Sequence, residues 1–211
     1  MASHRSAQTF GKDETMNRRR ALATLAAWPL AFWGCDSPPS FNSMDITGAD
    51  YGKDFRLTDT EGRVRTLADF RGKLLMIFFG FVQCPVVCPT ALLRAVEVRN
   101  ALGKDGEKVQ VIFITLDPER DTPEVIRGYA TAFDASFIGL YADLAGTEKT
   151  AKDFRVFYQK VPTGNSYTID HTAYTYVYDG LGRLRLAVKH DQPAEKTAED
   201  IRRLLAQTQP G

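Results

Sequence analysis

The chain contains few of the residues that bind soft metals or carry redox chemistry, with three cysteines and three histidines among 211 residues. Three cysteines are too few for a small fold held by disulfides, and too few for two four-cysteine zinc sites. A chain of this length buries roughly 70% of its unfolded surface, so it needs no metal or disulfide in order to fold. Any cysteine cluster is therefore interpreted as serving chemistry.

An excess of charge of one sign is also absent, because 27 Lys and Arg against 26 Asp and Glu leave a formal charge of +1. Such a chain has no overall attraction for nucleic acid or acidic membranes. The sequence has no glycine-rich phosphate loop and no basic aromatic patch, so we expect no nucleic-acid partner. Its 44% hydrophobic and 25% charged residues are typical of an ordinary globular chain, and its length predicts one domain, or two at most.

The apolar run near the N-terminus, residues 21–34, is too short to cross a membrane. It follows three arginines at 18–20 and ends before Cys35, a pattern typical of a bacterial signal peptide with a lipid-acceptor cysteine. We predict that 1–35 is a signal peptide and lipoprotein anchor acylated at Cys35, and that 36–50 is a flexible tether. This predicts an exported domain on the periplasmic face of the inner membrane. A buried N-terminal helix is the less favoured alternative.

The folded region, residues 51–208, has the pattern of an α/β domain. Two continuous apolar runs, 73–81 and 109–116, are typical of strands buried on both faces. A helical apolar pattern between them ends at Gly103, which predicts a strand–helix–strand unit. We predict a central mixed sheet flanked by helices; the more specific name, a thioredoxin-like fold, rests on a resemblance described below.

The remaining elements are predicted from turn and capping signals. They are strands at 55–58 and 63–66, which form an N-terminal β extension, a helix that begins after Thr122, a short strand at 137–141, a helix through Ala151, Phe154 and Tyr158, a hairpin of 172–178 and 183–188, and a last helix around Ile201. The alternating Tyr174, Tyr176 and Tyr178 are interpreted as strand packing rather than a binding surface.

Two cysteines follow the first buried strand, in the sequence Cys84-Pro85-Val86-Val87-Cys88-Pro89. Ligand sites of open α/β sheets gather beyond the carboxyl ends of strands. Pro89 suits the first position of a helix, so Cys88 is predicted to cap that helix, whose dipole favours a thiolate. The pair could bind Cu(I) or zinc, or close a disulfide. Burial as two small apolar side chains is less favoured, since a proline-flanked loop is not a core position.

One of the three histidines is placed to join this pair. His4 precedes the signal, and His190 follows the last strand, where we expect it to be solvated. His171 opens the predicted hairpin, and its imidazole with two thiolates would form a three-coordinate site suited to copper. A hydrogen-bonded structural histidine is the alternative. Asp117 and Asp121 are interpreted chiefly as turn and helix-end charges.

Three segments of the chain resemble the SCO/SenC family, the copper chaperones of cytochrome c oxidase assembly. These are 78–90, with its Cys-Pro-x-x-Cys-Pro, 115–123, with Asp-Pro-Glu-Arg-Asp-Thr-Pro, and 169–172, with Asp-His-Thr. The resemblance implies a thioredoxin-like fold on a membrane anchor, with copper bound by Cys84, Cys88 and His171, and it implies that 115–123 lies near the metal loop. Val86 stands where many members carry Asp, which makes this loop more apolar.

The resemblance implies a copper chaperone whose partner is the copper-binding subunit of cytochrome c oxidase or another copper carrier. A thiol–disulfide oxidoreductase that keeps the oxidase cysteines reduced is the alternative, with Cys84 and Cys88 as its catalytic redox pair, so enzymatic activity stays open. A peroxidase-like enzyme ranks last, since the peroxiredoxins that 67–73 also resembles lack this combination of motifs. A zinc site would lack a fourth protein ligand.

Overall fold

The computed structural model describes residues 40–208. The strands in this part of the chain are β1 Met44–Asp45, β2 Leu57–Asp59, β3 Val64–Arg65, β4 Leu74–Gly80, β5 Val109–Thr115, β6 Ile138–Tyr141, β7 Tyr158–Thr163, β8 Ser166–His171, β9 Tyr174–Tyr178 and β10 Leu184–Lys189. The α-helices are α1 Val87–Leu102, α2 Pro123–Phe133, α3 Leu144–Asp153 and α4 Ala194–Thr208, and short 3₁₀ turns lie at Leu67–Phe70 and Gly103–Lys108.

Eight strands form one mixed sheet in the order β1-β10-β9-β4-β5-β6-β2-β3. β4, β5 and β6 are parallel neighbours, and the other pairs are antiparallel. Every residue of β4 is buried, because its side chains enter two cores alternately. Met76 and Phe78 belong to the core that holds α1 and α4, whereas Ile77 and Phe79 belong to the core beside α3. The predicted mixed sheet with flanking helices is confirmed.

Two predicted details are corrected by the structure. Helix α1 begins at Val87, with Val86 as the residue before it, so Cys88 lies inside the first turn rather than capping the helix. Helix α3 ends at Asp153, so Phe154 lies beyond it and Tyr158 begins β7. The apolar spacing of Phe154 and Tyr158 reflects separate burial in the core, not one helical face. The hairpin of β9 and β10 and the packing role of Tyr176 and Tyr178 are confirmed.

The sequence did not predict the hairpin of β7 and β8. These strands pair with each other as a separate two-stranded sheet. Within them Ile169 is the one buried residue. Exposed polar residues and Pro162 give β7 neither an apolar run nor a regular alternation, and β8 has only Tyr167 and Ile169 as alternating apolar residues, which is a short signal from which to predict a strand.

The predicted tether, 36–50, is packed against the domain over the part that the structure describes. β1 pairs with β10, and the backbone N–H groups of Asn42 and Ser43 donate to the buried Asp200 carboxylate, both at 2.8 Å. Phe41 also packs beside the core that holds α1 and α4, and Ile46 packs beside the other core, so polar contacts and partly buried apolar side chains together hold this segment. The predicted signal and anchor, with Cys35, lie outside the described residues. Across 40–208 the structure contains no helix of the length and apolarity needed to cross a membrane.

Candidate metal centre

The structure brings the three predicted ligands together at the carboxyl end of β4. The two cysteine sulfurs and a ring nitrogen of His171 all lie within 4.8 Å of one another. The Cys88 Sγ lies 3.7 Å from the His171 Nε2, although these residues are 83 positions apart in the chain. Among residues 40–208, this is the single group of three or more Cys, His, Asp or Glu side chains with the spacing of a metal site.

The end of β4 is shaped to receive the Cys88 sulfur. A Cβ atom at Gly80, the last residue of β4, would lie 2.7 Å from the Cys88 Sγ and 2.9 Å from the Phe78 ring. A methyl group does not fit at that distance without displacing the thiol. Gly80 therefore provides the space in which Cys88 is fully buried. The sequence predicted an accessible loop position for both thiols, and this prediction is wrong for Cys88. Helix α1 starts at Val87, two residues before Pro89, which was the predicted first helical residue, so Cys88 lies in the helix and faces the core.

The two cysteines differ in their affinity for a proton, because the pKa of Cys84 is lowered and the pKa of Cys88 is raised. The hydrogen bond from the Cys88 thiol makes the largest contribution to the low pKa of Cys84, and the His171 side chain and the backbone N–H of Cys88 add to it. Together, and against the effect of burial, they lower this pKa from 9.0 to about 3. The Cys88 N–H lies 3.4 Å from the Cys84 Sγ at the N-terminus of α1. The same thiol–thiol bond, together with burial, raises the pKa of Cys88. Cys84, rather than Cys88 as predicted, is therefore the thiolate that the helix terminus stabilises.

His171 is oriented with one ring nitrogen toward the sulfurs. Its Nδ1 donates a hydrogen bond to the Thr172 carbonyl oxygen, 3.0 Å away. Nε2 is therefore the ring nitrogen that faces the sulfurs and is placed to bind a metal. The Phe78 and Phe81 rings make T-shaped contacts with the imidazole, and their centroids lie 6.1 and 6.0 Å from its centroid. His171 closes β8 rather than opening the following strand as predicted. His190 is exposed, as predicted.

The two aspartates of the 115–123 segment lie in a turn and just before α2, as predicted, and both are buried. Asp121 Oδ2 accepts hydrogen bonds from the Val82 backbone N–H at 3.0 Å and the Thr115 hydroxyl at 2.6 Å. Burial raises the pKa of Asp121. Val82 begins the loop that carries the cysteines, so Asp121 holds this loop to the end of β5. The implied position of this segment near the metal loop is confirmed.

Two residues of the site were missed by sequence reasoning. Arg120 donates from Nε to the buried Asp117 carboxylate, and Tyr167 donates from its hydroxyl to the other oxygen of Asp117 at 2.8 Å. Arg120 lies within a segment that the sequence singled out, and its position between two acidic residues could have indicated an ion pair. Tyr167 belongs to the unpredicted strand β8 and carries no comparable signal.

These features define a class of protein, a thioredoxin-like α/β domain with a Cys-Cys-His group beyond the edge of its central sheet. The SCO1/SenC family model matches residues 43–206, and the chain belongs to this family. The family comprises copper-binding proteins of cytochrome c oxidase assembly.

Solved structures of the family have the same fold. ScoI of Bradyrhizobium japonicum, solved with copper bound, is 43% identical with a TM-score of 0.67, and the match covers 74% of this chain and 99% of that one. Yeast Sco1, also solved with copper bound, is 28% identical with a TM-score of 0.67, over 82% of this chain and 92% of that one.

Curated relatives are longer than the matched region. A SCO2-like protein of Rickettsia felis is 36% identical over 135 residues, which are 63% of this chain and 66% of the relative. The mitochondrial SCO2 homolog of Bos taurus is 34% identical over 157 residues, 72% of this chain and 59% of the relative. The match thus spans less than two thirds of each relative.

Proposed function

We propose that this protein is a membrane-tethered copper chaperone that binds one copper ion through Cys84, Cys88 and His171 and delivers it to the copper centre of cytochrome c oxidase. The observation that carries the proposal is the convergence of two sulfurs and an imidazole nitrogen within 4.8 Å of one another. Thiolate and imidazole ligands suit copper, and relatives of this chain have been solved with copper bound. Three protein ligands leave room for a fourth from a partner.

Copper is the cargo in this proposal, so the site must both bind and release it. Cys84 is ionised before the metal arrives, and binding displaces one proton from Cys88. Cys84 is half-buried whereas Cys88 is inaccessible. An incoming ligand of the acceptor therefore reaches the copper from the Cys84 side, and we propose that Cys84 is exchanged first and Cys88 last.

The tether and the partner belong to the same proposal. The arginines at 18–20, the apolar run at 21–34 and Cys35 support export and lipid attachment at the periplasmic face of the inner membrane. The copper-binding subunit of cytochrome c oxidase, or another copper carrier, is the proposed acceptor. Cys35→Ala should release the protein from the membrane fraction without changing copper binding; a variant that stays in the membrane fraction would contradict acylation at this residue.

Anaerobic Cu(I) titration in competition with a chelator tests the three-ligand site. We expect one copper per chain, with affinity lowered at least about 10-fold in His171→Ala because the metal loses one of three ligands. His190→Ala is the matched control, since its side chain is exposed and lies outside the ligand group. Unchanged copper affinity in His171→Ala would refute the proposed coordination.

The alternative, a thiol–disulfide oxidoreductase, is supported by the two free cysteines held side by side. In that reaction the Cys84 thiolate attacks a target disulfide, which forms a mixed disulfide and releases one target thiolate. Cys88 then loses its proton and displaces the second target thiolate as the Cys84–Cys88 disulfide forms. A low thiol pKa stabilises the reduced cysteine pair and makes that pair a weaker reductant. The low pKa of Cys84 therefore supports the copper chaperone over the oxidoreductase. Complementation in cells distinguishes the two functions, since His171→Ala should rescue oxidase assembly if thiol reduction is the role and should fail if copper binding is.

A further inference from the structure

Arg120 lies where the cysteine loop, the Asp117 turn and the β7–β8 hairpin meet. Its side chain is 17% exposed and pairs through Nε with Asp117, which is fully buried. Its Nη1 donates to the Gln83 side-chain oxygen at 3.1 Å and to the Tyr167 carbonyl oxygen at 2.9 Å. One guanidinium group therefore contacts the residue before Cys84 and a residue of the strand that ends at His171.

The hairpin that carries His171 depends on such contacts because it has no strand pairing with the eight-stranded sheet. Its apolar attachment to the core is through Ile169, with the half-buried Tyr158 and Tyr167 packed beside it. Its polar attachment near the site is through Tyr167, whose ring centroid lies 3.6 Å from the Arg120 guanidinium carbon and whose hydroxyl donates to Asp117; Lys160 adds an exposed ion pair with Glu119. Tyr167 and His171 are four residues apart, so their side chains share one face of β8.

We propose that Arg120 is a positioning residue for copper binding, which sets the His171 hairpin against the cysteine loop without touching the metal. The inference rests on the proposed function, since it concerns affinity for copper at the same site. The His171 Nε2 is 3.7 Å from the Cys88 Sγ, and a ligand displaced by even about 1 Å no longer fits a metal site. A hairpin held by few contacts therefore needs a specific one beside the ligand.

Arginine suits this position because its planar group donates in several directions at once. Asp117, Gln83 and Tyr167 lie on three different segments, and a lysine ammonium on a flexible stem cannot reproduce the fork and the stacking together. Arg120→Lys thus keeps the charge opposite Asp117 while removing the link between the two halves of the site.

The same hairpin offers a matched control in Lys160. Lys160 also makes an ion pair across to the 115–123 segment, with Glu119, and its Nζ also lies over the Tyr167 ring, 4.6 Å from the centroid. Its ion pair is exposed on both sides and reaches neither Gln83 nor Asp117. Lys160→Ala therefore removes a cation from the same hairpin without breaking the link that Arg120 makes.

A double-mutant cycle tests the proposal through the Cu(I) affinity of the wild type, Arg120→Lys, His171→Ala and the double variant. We expect Arg120→Lys to weaken binding about 10-fold in the wild-type background and to have no effect in the His171→Ala background, because it acts through His171. X-ray absorption of the copper-loaded Arg120→Lys variant should show a reduced nitrogen contribution. Lys160→Ala should match the wild type in both measurements.

A second readout needs no metal. In the apoprotein, amide hydrogen exchange of β7 and β8 should accelerate in Arg120→Lys while exchange in β4 and β5 stays unchanged. If Arg120→Lys does not fold, Tyr167→Phe takes its place in the double-mutant cycle with His171→Ala. This variant loses the hydroxyl contact with Asp117 and keeps the aromatic ring. The expected pattern is then the same, with a smaller loss.

The outcomes separate this inference from the function on which it rests. Wild-type affinity in Arg120→Lys, or an equal loss in the His171→Ala background, would overturn the positioning role while leaving copper binding intact. If His171→Ala itself binds copper like the wild type, the three-ligand site fails and the inference fails with it.

Discussion

The two neighbouring hairpins of this protein, β7–β8 and β9–β10, have opposite relationships to the core. β9 and β10 lie between β1 and β4 in the eight-stranded sheet, and nearly all of their residues are buried. β7 and β8 form a sheet of their own with one buried residue. The histidine of the metal site belongs to the second hairpin. The stable part of the fold and the part that completes the site are therefore separate.

The turns of the hairpins show the same difference. Asp179 in the β9–β10 turn is buried, and Arg183 and Arg185 together with the Arg183 backbone N–H lower its pKa against the effect of burial. The β7–β8 turn contains Gly164 at a φ of 60°, in open space. A ligand on a weakly attached element can leave a metal without disturbing the core, which is consistent with the proposed release of copper to an acceptor.

The largest effect that would test this comparison is on stability. Leu186→Ala in β10 should lower the free energy of unfolding by about 2–5 kcal/mol, because Leu186 is fully buried and its loss leaves a cavity. Val161→Ala in β7, where the side chain is half-buried, should cost less than about 1 kcal/mol. Urea unfolding of the apoprotein measures both values, and similar losses would remove the distinction between the hairpins.

A smaller effect is expected where the core sheet meets the site. Gly80→Ala should cost about 1–3 kcal/mol and weaken copper binding, because the added methyl occupies the space of the Cys88 sulfur. Gly128→Ala is the control, since Gly128 is an exposed residue within α2 with open space around its Cα. That substitution should stabilise the protein by roughly 0.5–1 kcal/mol. Unaltered copper affinity in Gly80→Ala would show that the end of β4 does not shape the site.

The titration of Cys84 measures what the detached hairpin contributes to the thiolate. Thiolate absorbance of the apoprotein should persist down to a pH of about 3. His171→Ala should raise the pKa of Cys84 but leave it below 9.0, because the Cys88 thiol makes the larger contribution. His190→Ala should leave the curve unchanged. Titration of both thiols near pH 9 in the wild type would contradict the unequal sharing of the proton.

The same pKa changes determine how stability responds to pH. The lowered pKa of Cys84 stabilises the fold above the ordinary thiol pKa of 9.0, and this contribution is lost as the pH falls from 9 toward about 3. The raised pKa of Cys88 acts in the opposite direction above pH 9, where the unfolded chain ionises and the folded chain does not. Comparing urea unfolding of the wild type and of Cys84→Ser over this range should show a difference that shrinks toward acid.

The smallest effect is expected at the exposed rim of the detached hairpin. Glu119→Gln should leave the free energy of unfolding almost unchanged, since both Glu119 and its partner Lys160 are solvated. The change should shrink further at high salt, because an exposed pair is screened. Thermal unfolding at two salt concentrations measures it. A loss as large as that of Leu186→Ala would show that this ion pair, rather than Ile169 and Arg120, holds the hairpin.

Much of the central fold was predictable because its signals are local. The apolar runs of β4 and β5 and the capping pair Thr122-Pro123 each lie within a few residues, and the structure has strands and a helix there. β7 and β8 were missed because a detached sheet has little apolar surface to bury. The attachment of 40–50 was missed because it depends on Asp200, which lies more than 150 positions away.

The sequence by itself determined the α/β class and the identity of the three candidate ligands, since apolar runs and short motifs are local signals that can be recognised along the chain. Only the tertiary structure decided that Cys88 is buried, that Cys84 is the thiolate, and that His171 completes the group from a separate hairpin. The physical reason is that burial and proton sharing depend on distances across space. The contacts of Arg120 join segments up to 47 positions apart, and no pattern along the chain encodes where they meet.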